Sequence, residues 1–254
     1  MNCIRNVING AGLVVASLTL VSLPAHAINL SSSTGVWTSV TGGSSVTGVG
    51  TNQVRWGQPV TGNGQSGLGF VGSAPTVSLP FNTNFILGTL SHYNYPVNSG
   101  TAASGANLQI SLTFTNAGQT VTPTFSYGFN IDETTNQGTV GACDSAKQIS
   151  SVPCDDIITP NDPRPQTFTL NNRRYQVTIS GFSTNIDGSS PLEKFTTVER
   201  TQNDAYLVGQ LTDMTAPNPV PWETDALSVV GTTILFAGGV WRKHKSRKKT
   251  LDKD

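Results

Sequence analysis

Few residues in this 254-residue chain could do chemistry. Of three histidines, His26 lies near the N-terminus and His244 in a basic C-terminal run, so His92 alone belongs to the central region. That rules out His-pair zinc motifs such as His-Glu-x-x-His. No Gly-x-Ser-x-Gly elbow is present. The Gly-rich stretch 62–69 has no closing lysine and opens no helix, so it is not a phosphate cradle. Carboxylates cluster at Asp132 and Glu133, at Asp155 and Asp156 with Asp162, and at Asp187. Asp132, Glu133, Asp155 and Asp156 are the metal candidates, with Ca²⁺ as the ion that oxygen ligands would favour. None has EF-hand spacing. A pair such as Asp132 and Glu199 would also suit the acid and base of a glycoside hydrolase. The plainer reading is solvated loop carboxylates, and no catalytic or cofactor-binding residue is assigned.

Two cysteines, Cys143 and Cys154, remain once Cys3 is set aside with the leader described below. An even pair in an exported chain predicts a disulfide, contributing about 3 kcal/mol through loop closure. Trp37, Trp56, Tyr93 and Tyr95 offer apolar ring faces with polar handles, suited either to stacking on a carbohydrate or to filling a core.

The elements around these residues begin with the ends. Arg5, an apolar stretch over 13–21 and the small residues Ala25 and Ala27 form a signal peptide, with cleavage expected after Ala27. At the other end Pro219, Pro221, Trp222 and Glu223 lie in a Pro/acidic segment, 217–225. An uncharged apolar run, 226–241, follows. From Trp222 to Trp241 a helix would span roughly 28 Å, close to the hydrocarbon thickness of a bilayer. Arg242, Lys243, Lys245, Arg247, Lys248 and Lys249 then form a basic stop, so 242–254 is expected to stay cytoplasmic. This tail resembles the PEP-CTERM class of sorting signals, although it lacks Pro-Glu-Pro. The resemblance implies an exosortase-type processing enzyme as partner, besides signal peptidase and the membrane itself.

Residues 28–216 hold 7 Lys+Arg against 11 Asp+Glu, a net of −4, which argues against a nucleic-acid partner. The region is rich in Ser, Thr and Gly and has no long helical periodicity. Leu108, Ile110, Leu112 and Phe114 alternate strictly and predict a half-buried strand, with a partner over 122–131. Residues 85–90 read as a buried strand. Residues 167–170 and 174–179, joined by Asn171-Asn172, predict a hairpin. Residues 53–56, 66–70, 76–79, 195–198 and 205–211 are further strand candidates. Residues 28–50 read as an exposed lead-in or edge strand, and 138–165 as a long disulfide-tied loop. The expected fold is all-β, a single antiparallel sandwich or jelly-roll-like domain, with helices only in the signal peptide and membrane span.

Within this domain, Thr51-Asn52-Gln53-Val54-Arg55-Trp56-Gly57, Ser66-Gly67-Leu68-Gly69-Phe70 and the run from Phe85 to Asn94 are similar to the THxN, or choice-of-anchor K, family of exported bacterial proteins. Ser91-His92-Tyr93-Asn94 stands where that family reads Thr-His-x-Asn. Residues 129–134 and 153–158, then Phe195, Glu199, Asn203 and Ala205, extend the resemblance over most of 34–212. It implies a secreted domain joined to a C-terminal anchor and carries over no catalytic residue. In extended backbone His92 and Asn94 share a face, where they would pin a strand end by hydrogen bonds, with Asn52 and Arg55 in the same internal polar network. Arg55 would pair with Asp132 or Glu133. The expected function is a non-enzymatic envelope or extracellular-matrix protein. It would be membrane-anchored or released after processing, with extracellular polysaccharide as a partner. The alternatives are a carbohydrate-binding surface module and a hydrolase using an Asp/Glu pair.

Overall fold

Alternation of apolar and polar residues dictates a sheet with one buried face, and two such faces must be buried against each other. The computed structural model describes residues 28–73, 77–134, 143, 154–161 and 164–215. Among these, thirteen strands and no helix occur. In chain order they are β1 (Ile28–Gly42), β2 (Gln53–Trp56), β3 (Ser66–Gly72), β4 (Val77–Leu79), β5 (Asn84–Asn94), β6 (Ala103–Asn116), β7 (Gln119–Val121), β8 (Thr124–Asp132), β9 (Asp156–Pro160), β10 (Gln166–Leu170), β11 (Arg173–Ser183), β12 (Phe195–Thr197) and β13 (Thr201–Asp213). The expected signal peptide, sorting segment, membrane span and basic tail lie outside the described residues.

The strands form two antiparallel sheets. One runs β12-β9-β8-β6-β1-β4, with β7 added to β6; the other runs β10-β11-β13-β5-β3-β2. Leu108, Ile110, Leu112 and Phe114 of β6 are all buried, and β8 answers with Phe125, Tyr127, Phe129 and Ile131. Their register sets Leu108 opposite Tyr127 and Ile110 opposite Phe125. Rings cross between the sheets: Phe114 stacks on Phe168 with centroids 4.5 Å apart, and Phe129 and Phe195 both meet Phe182. Each such buried side chain contributes roughly 1.5–3 kcal/mol.

The 166–183 hairpin forms as its sequence predicts. Asn171 and Asn172 both take positive φ, at 53° and 59°, the geometry that a two-residue hairpin turn needs. The Ala117-Gly118 turn, also at positive φ, returns β6 into β7.

One expectation is sharpened and one corrected. Residues 28–42 make a fifteen-residue strand paired with β6 along its length and with β4 only at 28–30, so most of it is an edge strand as expected, but one with Ile28, Leu30 and Trp37 wholly or almost wholly buried. Its Ser and Thr residues mask a sparse apolar face. The 138–165 segment, expected as a loop, contains β9, which pairs β8 on one side and β12 on the other. β9 is buried, so its apolar run shows no alternation to read.

Candidate functional site

Three strand ends of one sheet meet one strand of the other at a single end of the sandwich. β8 runs out at Asp132, so Glu133 follows it directly; Asp156 opens β9 and lies opposite Thr197, the last residue of β12. From the facing sheet, β5 supplies His92 and Asn94. Both are fully buried, as the shared-face reading requires. Ser91, next to His92, alternates to the other face.

Thr197 is the junction. Its hydroxyl lies 2.8 Å from His92 Nδ1, 3.4 Å from Asn94 Nδ2 and 3.3 Å from the Asp156 carbonyl. A carbonyl only accepts, so the single hydroxyl proton goes to Asp156. Thr197 Oγ1 must therefore accept from His92, which puts the imidazole proton on Nδ1 and leaves Nε2 with its lone pair. Asn94 Nδ2 also donates to the Thr197 carbonyl at 3.1 Å. The sheets are thus tied by side chains.

The carboxylates are held with equal economy. Asp156 Oδ1 accepts from the Thr134 backbone N–H at 2.7 Å, and the one proton of the Thr134 hydroxyl is shared between Asp156 Oδ1 at 3.0 Å and the Cys154 carbonyl at 2.9 Å. Asn203 brackets Val198 with two hydrogen bonds, folding back the turn that carries the buried Glu199. His92 Nε2, Asp156 Oδ2, both Glu133 oxygens and Asn94 Oδ1 are buried without hydrogen-bond partners. Trp56 stacks near His92, ring centroids 6.4 Å apart. Its indole N–H leans on Glu133 enough to hold the carboxyl down slightly, short of hydrogen-bond geometry.

Burial governs the protonation of the cluster. It drives His92 down to about 3, with the nearby Arg55 charge adding to the effect. It pushes Glu133 well up, reinforced by Asp156 and Glu199. Asp156 is also raised, despite the Thr134 hydrogen bonds that oppose this. Glu199 rises to about 8, through burial and then Asp156. Like charges in a low-dielectric site disfavour one another's ionisation.

One ligand atom each from His92, Glu133 and Asp156 lies within 4.8 Å of the others, the one such group among the described residues. Of the four metal candidates the structure brings Glu133 and Asp156 together. Asp132 faces solvent, and Asp155 is buried beside them. Asp132 and Glu199 do not form the exposed pair a glycosidase would use, because Glu199 is buried among Glu133 and Asp156. Asn52 is exposed and offers its carbonyl to Phe70 N–H, outside the internal network assigned to it. Arg55 lies 3.5 Å above the Tyr93 ring and donates to the Gln65 carbonyl. Trp37 and Trp56 are fully buried, so the stacking platform is not formed from them; both belong to the core. Cys143 and Cys154 are disulfide-bonded, with Cα atoms 5.3 Å apart, and Cys154 sits two residues before Asp156.

Sequence reasoning missed Thr197 and Thr134. Nothing distinguishes them from the many other threonines, since their partners are 105 and 22 residues away. A separate apolar cleft of about 390 Å³, lined by Val71, Leu79, Phe85, Ile86 and Ile186, holds none of the buried cluster. No family model matches the chain, and no curated protein matches it.

Proposed function

We propose that the chain is an exported, non-enzymatic protein of the cell envelope or extracellular matrix, with a jelly-roll-like sandwich outside the membrane and a C-terminal helix that anchors it or is removed by an exosortase-type enzyme. The seclusion of the ionisable groups carries this reading. A hydrolase must present its acid and base to substrate, whereas His92 and Asp156 are 0% exposed and Glu199 is 3% exposed. Groups so enclosed act on the fold. The Cys143–Cys154 bond supports an oxidising exterior, and the resemblance to THxN proteins and to PEP-CTERM tails agrees with both.

Expression of the full-length chain in an exosortase-bearing bacterium tests the reading. The expected product starts at residue 28, is digested by protease added to intact cells, and yields thiols only after reduction. A protease-shielded product retaining Met1, with both thiols free, would contradict it.

A further inference from the structure

We propose that the polar end of the sandwich is a buried site for one divalent first-row transition-metal ion, Zn²⁺ foremost, bound by His92 Nε2, a Glu133 oxygen and Asp156 Oδ2 and bridging the two sheets. The site stands on geometry independent of where the protein resides.

The proton count at Thr197 comes first. With Thr197 donating to the Asp156 carbonyl, His92 donates through Nδ1, which leaves a bare lone pair on the buried, unpartnered Nε2. This is the outer-shell arrangement by which a metal-ligating histidine is oriented and its tautomer fixed. Asp156 is prepared in the same way. The Thr134 backbone N–H donates to Oδ1, while Oδ2 is buried and unpartnered.

Spacing comes second. One ligand atom from each of the three residues lies within 4.8 Å of the others, and His92 Nε2, Asp156 Oδ2 and both Glu133 oxygens have no hydrogen-bond partner. A shared proton would require a short N···O or O···O contact. An ion about 2.0–2.2 Å from each atom needs them roughly 3.5–4 Å apart, a small closing movement of the half-buried Glu133. Buried polar atoms without hydrogen-bond partners are costly, and a cation held by His92, Glu133 and Asp156 would supply one. Asn94 Oδ1, held by the same threonine, is a further buried oxygen without a partner.

Donor chemistry selects the metal. Calcium takes six to eight oxygens. One imidazole with two carboxylates suits zinc or its first-row neighbours. This replaces Ca²⁺ as the ion the carboxylates alone suggest.

The test uses full-length protein, exported and purified in detergent without chelator. Elemental analysis should find about one equivalent of a first-row metal in the wild type. After stripping, Zn²⁺ alone should rebind, with affinity at least ~10-fold weaker in Thr197→Val. Glu133→Gln and His92→Gln should bind no zinc, while Asp187→Asn, on the exposed surface, should match wild type. If His92→Gln fails to fold, Glu133→Gln carries the comparison, because its shape is unchanged and it is only half-buried. A folded wild type that neither retains metal nor takes up added Zn²⁺ overturns the proposal. So does zinc binding that survives in folded Glu133→Gln, or a preference for Ca²⁺ over Zn²⁺.

Discussion

The two ends of the sandwich are closed by different chemistry. β8 spans both: it begins at Thr124, beside Phe125, and runs out at Asp132, beside Glu133. At the first end Phe168 stacks on Phe114 and Tyr175 and meets Phe125 edge-on. At the second, His92 and Asn94 reach across to Thr197, and His92 Nε2, Asp156 Oδ2 and the Glu133 oxygens are left without hydrogen-bond partners. The aromatic end is held by dispersion and apolar burial, which ask for no partner, and what it shares with the other end is the buried Tyr175 hydroxyl, which has no hydrogen bond. The polar end fixes its geometry through directional bonds and leaves lone pairs unmatched. Closure by ionisable groups therefore makes a site where closure by rings makes only a core.

The largest expected effect is at the aromatic end. Phe168→Ala should cost about 3–5 kcal/mol in denaturant unfolding, unchanged by chelator or by zinc. A chelator-dependent loss would mean that the two ends are coupled. Next, replacing Cys143 and Cys154 by serine should cost about 3 kcal/mol, since the bond closes a short loop directly before β9. It should also weaken metal binding if that loop positions Asp156. Thr197→Val should cost about 2 kcal/mol in the metal-free protein, from the buried His92 Nδ1 left unsatisfied, while Asn94 keeps its bond to the residue 197 carbonyl.

pH separates the ends without mutation. Glu133, Asp156 and Glu199 all have folded-state values above their ordinary ones. In metal-free protein the stability linked to them is fully present below the ordinary carboxylate range. His92, held down to about 3, pulls the other way up to its ordinary value near 6.5, so the net fall shows above that pH and runs through about 8 to 9, where Glu199 and then Glu133 give up their protons. Unfolding melts of chelator-treated protein should show this decline, and added zinc should reverse it, with tighter binding at higher pH. A flat profile would break the contrast. The smallest effect belongs to Asn172→Ala, about 1 kcal/mol from a positive φ alanine resists, with no change in metal binding.

The sequence made the aromatic end far more legible than the polar one. Leu108–Phe114 and Phe125–Ile131 announce their faces by period two, and Asn171-Asn172 announces its turn. At the polar end only His92-x-Asn94 carried a spacing signal, and it correctly placed both residues on one buried face. The acidic pairs were visible, but their sorting was not. Asp132 and Glu133 are neighbours that the end of β8 directs to opposite fates, and Asp156 gains its role from Thr134 and from β12. β9 stayed hidden because it is short, buried and flanked by prolines. Local pattern reports which face of a strand is buried. It does not report which strand ends coincide, and the site is made of coinciding ends.

Anomalous diffraction at the zinc edge, from crystals of the full-length protein grown with Zn²⁺, tests the account most directly. A single strong peak between His92 Nε2, Glu133 and Asp156 Oδ2 is the predicted result. Ordered side chains there with no peak, or a peak only elsewhere on the surface, would contradict it.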